Sequence, residues 1–260
     1  MINNIQDRRS RSFRCEGVVL RHLDWGEADR IIWLFTLEKG KIRTIAKGVR
    51  KVRSRKSGHL EPFMVVSLLL SKSKDLFFIS QVDTINAHTP LREGLMLTSY
   101  ASYIVELLDR FTIEEEENRN LFLLLTDTLD RLSDDKYIKE LVLRYYEIRL
   151  LDLVGFRPQL FNCISCNQQI EPQDQYFSIQ LGGVVCPRCG RGIAGLLPVS
   201  VRSLKYLRHF QRSSFREAIK AKLSDEISQE IEIIMQQYFT YLLERNLNTP
   251  PFLRNARKAS

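Results

Sequence analysis

The chain has 260 residues, 44% of them hydrophobic and 10% aromatic, and carries a formal net charge of +8 at pH 7. This length and composition allow a sizeable core and one to three domains. The longest apolar stretches, such as Met64–Leu70, fall far short of the roughly 20 residues that a membrane helix needs. No apolar segment of signal-peptide length follows the basic start of the chain. We therefore expect a soluble, cytoplasmic protein.

The positive charge is concentrated in the first third of the chain. Residues 1–80 contain 17 Lys and Arg against 8 Asp and Glu, a balance of +9, whereas residues 81–260 contain 22 against 23. An excess confined to one region indicates a polyanionic partner for that region, either nucleic acid or an acidic membrane surface.

Residues 13–82 carry the pattern of β-structure. Three runs, FRCEGVVLRH, ADRIIWLFTLEKGKIRTIAKGV and PFMVVSLLLSKSKDLFFISQVDTI, are rich in β-branched and apolar residues and predict five short strands. In the turn Glu38–Lys41, Gly40 can take the positive φ that a tight hairpin requires. Five strands in about 70 residues fit a small OB barrel, although an SH3-like barrel has similar content. We place this domain at residues 1–82 and expect residues 1–12 to be a flexible extension.

The connection Lys47–Gly58, KGVRKVRSRKSG, has six basic residues within ten positions and no acidic residue. Such a run can be a mobile solvated loop that only keeps a domain soluble. Because it connects predicted barrel strands in the domain that holds the basic excess, we interpret it as a nucleic-acid contact, made to phosphates rather than bases. The predicted binding residues are Lys47, Arg50, Lys51, Arg53, Arg55 and Lys56, with Arg21, Arg30, Lys41 and Arg43 extending the surface.

Four aromatic residues of this domain are candidates for stacking against bases: Trp25, Trp33, Phe35 and Phe63. Stacking contributes about 1–3 kcal/mol per base and tolerates any sequence. Strand alternation indicates that most of the four belong to the core.

Between about Leu91 and Val154 the apolar residues follow a helical period. Spacings of three and four residues predict helices over residues 97–111, 121–132 and 138–151. The acidic run Glu114–Glu117 lies between the first two, where it would favour the start of the second. Gly155 is placed as the C-cap of the third, and Pro158 bars its continuation. Residues 83–158 are predicted to form the first part of a helical domain.

Two CxxC pairs, Cys163 with Cys166 and Cys186 with Cys189, are separated by 19 residues. This spacing is typical of structural zinc, with a β-hairpin between the pairs and one ion per chain. Buried thiols or two disulfides are the alternatives, and a cytoplasmic setting argues against disulfides. Four thiolates leave no open position for water, so a catalytic metal is not expected. We place this zinc module at residues 159–197. The fifth cysteine, Cys15, is predicted to be packed in the first strand.

Helical spacing resumes between Ser200 and Arg245, with apolar residues such as Val201, Leu204, Ile231 and Leu242. We assign residues 198–248 to the C-terminal part of the helical domain. Residues 249–260 are a tail, whose last seven residues, RNARKAS, we expect to be disordered.

The chain lacks the motifs of common catalytic sites. It has no phosphate-binding glycine loop, no G-x-S-x-G elbow and no H-E-x-x-H helix. The four histidines are scattered and have no carboxylate motif beside them, which general acid–base catalysis would need. The sequence therefore predicts that the protein is not an enzyme.

Two long stretches resemble the RecO family of bacterial DNA repair proteins. One is RYYEIRLLDLVGFRPQLFNCISC, Arg144–Cys166, which is similar to the junction between the family's helical part and its zinc module. The other, Glu16–Phe63, is similar to the family's N-terminal barrel. The order of barrel, helices, four-cysteine module and C-terminal helix matches across nearly the whole chain.

The resemblance implies an α+β multidomain chain, with an N-terminal five-stranded OB-fold barrel and an all-α domain that carries an inserted four-cysteine zinc module. It implies a nucleoid-associated recombination mediator that binds single- and double-stranded DNA and anneals complementary strands. The implied partners are RecR, the acidic C-terminal tail of the single-stranded DNA-binding protein SSB and, indirectly, RecA, with no membrane. The family's basic barrel loop maps onto Lys47–Lys56, and its cysteines map onto Cys163, Cys166, Cys186 and Cys189. Some members lack these cysteines, which favours an architectural function for zinc.

An SSB tail would need an apolar pocket beside a Lys or Arg. The candidates in the helical part are Arg131, Arg144, Arg202 and Lys205. Judged from the residues alone, two other classes of protein stay open. One is an RNA-binding factor built from an OB barrel and a zinc ribbon, because the sequence shows no device that must read the 2′-hydroxyl. The other is a zinc-dependent enzyme that acts on nucleic acid.

Overall fold

The computed structural model describes residues 12–250 and Leu253. The predicted extension with Arg8, Arg9 and Arg11, and the RNARKAS end of the tail, lie outside these described residues. The described chain forms two compact units. The first contains the residues up to Arg92 together with Thr112–Phe122, and the second contains Glu93–Phe111 together with the residues from Leu123 onward.

Five strands of the first unit form a closed barrel: β1 Ser12–Trp25, β2 Asp29–Thr36, β3 Gly40–Ala46, β4 Val65–Ser73 and β5 Leu76–Asn86. Their order around the barrel is β1-β2-β3-β5-β4, and β4 pairs back onto β1. All neighbours are antiparallel except β3 and β5, which pair in parallel at Thr44 with Phe77 and Ile45 with Phe78. This non-sequential closure is the OB arrangement, so the structure decides between the two barrel types that the sequence left open.

The barrel interior is filled by residues that alternate along the strands. Val19 of β1, Ile32 and Leu34 of β2, Ile42 of β3 and Leu68 of β4 are each at most 1% exposed. Because successive side chains of a strand point to opposite faces, the polar residues between them lie on the outside. Cys15 is part of this core, as predicted, and burial raises the pKa of its thiol to about 12.

The acidic run Glu114–Glu117 lies against the barrel rather than simply preceding a helix. The Glu115 amide donates to the Lys41 carbonyl at 2.8 Å, and Lys72 Nζ donates to Glu115 Oε2 at 2.9 Å. Gly40 has φ +60°, and a Cβ atom there would lie 1.8 Å from the Glu116 carbonyl oxygen. A side chain at position 40 would therefore be strained by its own backbone and would also displace the acidic segment.

The second unit is built on helices: α2 Leu95–Phe111, most of α3 Arg119–Ser133, α4 Lys139–Leu153, α6 Val201–Arg212, α7 Phe215–Ala218 and α8 Asp225–Leu243. A single turn, α1 Pro90–Glu93, precedes α2. Helix α4 is central, since it contacts α2, α6, α7 and α8 and buries residues on all its sides. It ends as predicted at Gly155, which has φ +84°, and the Phe156 amide donates to the Leu151 carbonyl at 2.8 Å in a Schellman motif.

A small sheet and one helical turn lie between α4 and α6 in the chain. The strands β6 Gln175–Ser178 and β7 Gly183–Val185 form the predicted hairpin, and β8 Leu197–Val199 pairs with the other edge of β6. The turn α5 Pro187–Gly190 contains the second cysteine pair. No helix in the described part of the chain is long and apolar enough to cross a membrane.

Candidate nucleic-acid interface and metal centre

The basic loop Lys47–Lys56 is fixed to the barrel at both ends by apolar residues. Val49 and Leu60 are fully buried in the barrel core. Near its start, the Gly48 amide donates to Asp29 Oδ1 at 2.7 Å and the Arg50 amide donates to the Ala28 carbonyl at 2.9 Å. The loop is therefore held beside the β1–β2 hairpin and presents its polar side chains outward.

Five of the six predicted cations of the loop are exposed: Lys47, Arg50, Lys51, Arg53 and Arg55. Val52 between them is also fully exposed, at 103% of its reference area, so an apolar side chain stands among the charges. Lys56 differs, because its Nζ donates to the Ile79 carbonyl at 3.2 Å and partial burial lowers its pKa. The structure gives Lys56 an anchoring contact within the barrel.

Two arginines, Arg30 beside the loop and Arg50 within it, are paired with carboxylates. Arg30 Nε lies 2.9 Å from Asp24 Oδ1, and Arg30 Nη1 lies 3.1 Å from Glu61 Oε1. Arg50 Nε lies 3.2 Å from Asp24 Oδ2, and Arg50 Nη1 donates to the Gly26 carbonyl at 3.2 Å. The hydrogen bond from Arg30 is the main reason that the pKa of Asp24 is lowered. Arg30 thus adds little net positive charge, whereas Arg50 joins the loop to the hairpin tip.

A cross-strand row on the outside of the barrel combines charge with an aromatic ring. Trp33 of β2 pairs with Arg21 of β1 on one side and with Arg43 of β3 on the other. The guanidinium carbon of Arg21 lies 3.6 Å from the centroid of the Trp33 ring, in a cation–π contact. Arg43 is exposed, and Trp33 is partly exposed.

The four aromatic candidates for base stacking fall into two groups. Phe35 and Phe63 are 0% and 4% exposed, in line with the alternation argument, and cannot receive a base. Trp25 lies at the tip of the β1–β2 hairpin and is 50% exposed, next to the residues that hold Arg50. Trp25 and Trp33 are therefore the accessible rings.

Lys41 lies in a more acidic setting than its sequence neighbours indicate. Its backbone pairs with Glu114 and Glu115 of the acidic segment, and Glu115 also pairs with Lys72. Nothing near Lys41 in the sequence predicts this contact, because about 70 residues separate the paired segments. The exposed Arg43 and the cations of the basic loop, which follow Lys41 along the chain, form a more positive surface than the surroundings of Lys41.

The four predicted metal ligands come together in the second unit. The Sγ atoms of Cys163, Cys166, Cys186 and Cys189 all lie within 4.8 Å of one another, and Cys166 Sγ lies 3.9 Å from Cys186 Sγ. In a tetrahedral centre with metal–sulfur bonds of about 2.3 Å the sulfur atoms are roughly 3.8 Å apart. The arrangement fits a metal ion held by four cysteines, and none of the chain's five cysteines forms a disulfide.

Backbone amides around the first cysteine pair favour the thiolate form of both residues, whereas hydrogen bonds from the neighbouring thiols raise the pKa of Cys189 to about 12. Burial alone would raise the pKa of Cys163, but amide donors from Cys186, Cys166 and Ser165 lower it to about 6. The pKa of Cys166 is lowered mainly by the Gln168 amide. Asn167, after the first pair, has φ +58°, a left-handed conformation that asparagine tolerates. Such loops stabilise thiolates, which are the form that binds metal.

The four candidates for an SSB-tail contact are in very different environments. Arg144 is 2% exposed and pairs with Glu147 at 3.0 Å inside the helical unit, so it cannot contact a partner. Arg131 pairs with Asp127 at 2.7 Å and covers the Phe215 ring at 3.8 Å. Arg202 and Lys205 line a cleft of about 570 Å³ together with Tyr206 and Ile227. Only these last two combine a cation with apolar neighbours in a depression.

These features define a class of protein: a closed five-stranded OB barrel with an anchored basic loop, joined to a helical unit with a cluster of four cysteines that could hold a metal ion. Comparison with known proteins makes the class specific. The family model described as Recombination protein O N terminal matches residues 11–88, and that described as Recombination protein O C terminal matches residues 92–251. The chain belongs to the RecO family.

Individual relatives cover nearly the whole chain. It is 35% identical over 233 residues to the DNA repair protein RecO of Dehalococcoides mccartyi, covering 90% of this chain and 91% of that protein. It is 34% identical over 250 residues to the DNA repair protein RecO of Roseiflexus sp., covering 96% and 88%. For the protein of the same name from Desulforamulus reducens the identity is 31% over 248 residues, covering 95% and 96%.

Proposed function

We propose that this protein is a non-catalytic DNA-binding recombination mediator of DNA repair. The observation that carries the proposal is the exposed cationic loop, which two buried residues fix to an OB barrel beside an exposed tryptophan. Membership of the RecO family supports it, because the matched relatives are named DNA repair proteins. The barrel would hold single- and double-stranded DNA at its loop end.

Binding at this surface would depend on phosphates and be largely independent of the base sequence of the DNA. Lys and Arg side chains neutralise phosphates and release counterions, which costs affinity as salt rises. Five exposed loop cations would give a slope of log K against log salt of roughly −3 to −4 for single-stranded DNA. Trp25 and Trp33 would add stacking with unpaired bases, which any sequence can supply.

Annealing follows from the same charges. Two complementary strands repel each other through their phosphates, and a cationic surface that neutralises one strand lowers the barrier to pairing. Together with RecR, the protein would use this cationic surface to help load RecA onto SSB-coated strands. The protein would act in the cytoplasm, in association with the nucleoid.

The acidic tail of SSB would bind in the cleft between α6 and α8. Arg202, Lys205 and Lys222 supply charge there, and Tyr206 and Ile227 supply apolar surface. This combination is what an acidic peptide with apolar side chains requires.

The metal would be one structural Zn²⁺ per chain, held by Cys163, Cys166, Cys186 and Cys189. A four-thiolate set suits zinc and leaves no position for a reacting water. When bound, the ion supplies cross-linking of the two cysteine loops and no catalytic chemistry.

The decisive experiment removes three loop charges and compares them with three others on the same barrel. In Lys51→Gln/Arg53→Gln/Arg55→Gln, affinity for labelled single-stranded DNA should fall at least tenfold at low salt, and the salt slope should become shallower by roughly 2. The matched control is Arg14→Gln/Lys39→Gln/Lys74→Gln, which removes the same charge from exposed positions outside the loop. Equal losses of affinity in both variants would mean that the loop acts only through the net charge of the barrel. Unchanged binding in the loop variant would overturn the proposal.

The same titrations distinguish DNA from RNA. Competition between matched DNA and RNA oligonucleotides should favour DNA or show no preference, whereas a strong preference for RNA would support an RNA-binding factor instead. Annealing of SSB-coated complementary strands should fall in parallel with affinity in the loop variant.

A further inference from the structure

A second cationic surface lies on α6, in the unit that does not contain the barrel. Four basic residues, Lys205, Arg208, His209 and Arg212, recur at three- and four-residue spacing and therefore share one side of the helix. With Phe161, Asn162, Gln169 and Ile170 they line a cleft of about 640 Å³. No aspartate or glutamate lines this cleft.

Arg208 is held in place with part of its guanidinium unsatisfied. Its Nε donates to the Leu160 carbonyl at 2.8 Å, while its Nη2 is buried and has no hydrogen-bond partner among the described residues. Burial and the neighbouring charge of Arg212 lower its pKa. A buried charged donor without a partner costs free energy, and an anion that reached this nitrogen would remove that cost.

Arg212 is fixed beside it by the same aromatic ring. The guanidinium carbons of Arg212 and Arg208 lie 3.5 and 5.2 Å from the centroid of Phe161. Neither arginine is within ion-pair distance of a carboxylate in the described part of the chain. Two guanidiniums held on one ring without an acid form a preorganised oxyanion site, since little side-chain freedom is left to lose on binding.

The chemistry of the lining favours phosphate over an acidic peptide. Arg212 stacks on the Phe161 ring, and Ile170 is only 6% exposed, so each of these two apolar residues is at least partly covered. Both ring nitrogens of His209 are already engaged, by Ser213 Oγ at 2.9 Å and the Glu217 carbonyl at 3.3 Å. The remaining donors are two arginines, a lysine and the side-chain amide of Gln169, since the Asn162 amide already donates to Asn167 at 3.4 Å, and this set is suited to phosphate oxygens.

The cationic stripe is also long enough for a chain of phosphates. From Lys205, at the border with the cleft proposed for the SSB tail, to Arg212 the helix advances roughly 10 Å, at 1.5 Å per residue. A single phosphate ion would use only one end of such a stripe, whereas a backbone with regularly spaced phosphates would use most of it.

We propose that the cleft around Arg208 and Arg212 binds the phosphodiester backbone of a second nucleic-acid strand, distinct from the strand at the barrel loop. This inference rests on the proposed function, since it assumes that the loop holds the first strand. Each unit then holds one strand, and a single chain brings together the two strands that annealing joins.

The test is the number of oligonucleotides bound per chain at low salt, measured with full-length protein and labelled oligothymidylate of about 10 nucleotides, a length near the site size of one OB fold. Wild-type protein should bind two. Arg208→Gln/Arg212→Gln should bind one, and Lys51→Gln/Arg53→Gln/Arg55→Gln should bind one at the other site. Combining both sets should abolish binding. The control Arg216→Gln/Lys220→Gln removes the same charge from exposed positions that line neither cleft and should still bind two.

Each departure from this pattern has a defined meaning. If wild type binds one oligonucleotide and Arg208→Gln/Arg212→Gln leaves its affinity unchanged, the second site is refuted and the barrel function stands. If only the α6 variant loses binding, the barrel proposal fails instead. If wild type binds one oligonucleotide and both variants weaken its binding, the two surfaces hold the same strand, and the proposal of a second strand is wrong. Because Arg208 also contacts Leu160, the exposed single variant Arg212→Gln, with unchanged thermal unfolding, should still weaken the second site roughly tenfold.

Discussion

The basic loop of the barrel and the middle of α4 both contain arginine, but in opposite electrostatic settings. In the loop, Arg53 and Arg55 are exposed beyond the buried anchor Val49. In α4, Arg144 is 2% exposed and faces Glu147 at 3.0 Å and Glu232 at 3.8 Å. The difference lies in the carboxylates that the fold brings nearby. Charge without a carboxylate is available to a ligand, whereas charge enclosed with carboxylates belongs to the interior.

This comparison separates two kinds of mutational effect. Changes in the loop should alter affinity for DNA and leave the free energy of unfolding nearly unchanged, because exposed side chains away from special contacts contribute little stability. Changes in the interior of the helical unit should lower stability and leave the affinity of the surviving folded protein unchanged. Four substitutions test this separation, beginning with the largest expected effect.

Cys163→Ser should have the largest effect, because Cys163 is the buried member of the four-cysteine cluster that we propose holds zinc. Loss of one thiolate should release the metal and lower the free energy of unfolding by several kcal/mol, roughly a third to a half of the binding free energy of a structural zinc. Metal content and urea unfolding measure this. Cys15→Ala, in the barrel core, should keep one metal per chain. A folded Cys163→Ser protein with full metal content would show that three cysteines suffice.

Arg144→Ala should lower the free energy of unfolding by about 3–5 kcal/mol, because it leaves Glu147 charged and buried without its cation. The matched control is Arg157→Ala, whose half-exposed guanidinium lies 3.3 Å from Asp152 and should contribute about 0–1 kcal/mol. Urea unfolding with intact metal gives both values. Similar values for the two variants would contradict the assignment of Arg144 to an interior ion pair.

Tyr103→Phe should lower stability by about 1–3 kcal/mol, because Glu147 Oε1 loses the phenol that donates to it at 2.7 Å. Burial, and then the Glu147 charge, raise the pKa of Tyr103 well above its usual value. The unfolded phenol therefore loses its proton near pH 10 while the folded phenol keeps it, so stability falls as pH rises above about 10.

In Tyr103→Phe, the free energy of unfolding should fall less steeply as pH rises. Urea unfolding measured between pH 8 and 11 tests this. Burial also raises the pKa of Tyr146, so part of the decline should remain. The exposed Tyr241→Phe should follow the wild-type curve. An equally steep decline in Tyr103→Phe would mean that other groups dominate the alkaline transition.

Trp25→Ala should have the smallest effect on stability, within about 0.5 kcal/mol, while weakening single-stranded DNA binding by about 1–3 kcal/mol. Trp25→Phe should keep most of the affinity, because a phenyl ring still stacks. Ile85→Ala, a half-exposed apolar residue of β5, serves as the barrel control. Fluorescence anisotropy with oligothymidylate measures the three proteins, and equal affinities would exclude stacking at the hairpin tip.

Local patterns were sufficient to predict the barrel strands and the long helices. Alternation located the five strands, Gly40 marked the hairpin between β2 and β3, and helical spacing found the three helices before the cysteines. The convergence of the four cysteines was also predictable, since two short loops and a hairpin leave few other arrangements. In these cases neighbours in the sequence determine the geometry.

Contacts between distant segments were not predictable from the same patterns. The parallel pairing of β3 with β5, the docking of Glu115 on Lys41 and the enclosure of Arg144 each join residues that no periodicity relates. Arg144 was a candidate for the SSB-tail contact, and its burial could not be predicted for this reason. The cationic side of α6 could have been found from its spacing, but its unsatisfied Arg208 and the covering of Phe161 required the structure.

The close approach of Gly40 to Glu116 bears on how the barrel can be produced by itself. A fragment cut after residue 88 or 92 would contain all five strands but would lack Thr112–Phe122, which belongs to the same compact unit. The margin of β3 at Gly40 and Lys41 would then expose backbone groups that the acidic segment normally covers, and such uncovered margins promote self-association. A well-behaved fragment would therefore need the acidic segment fused back by a linker that replaces α2.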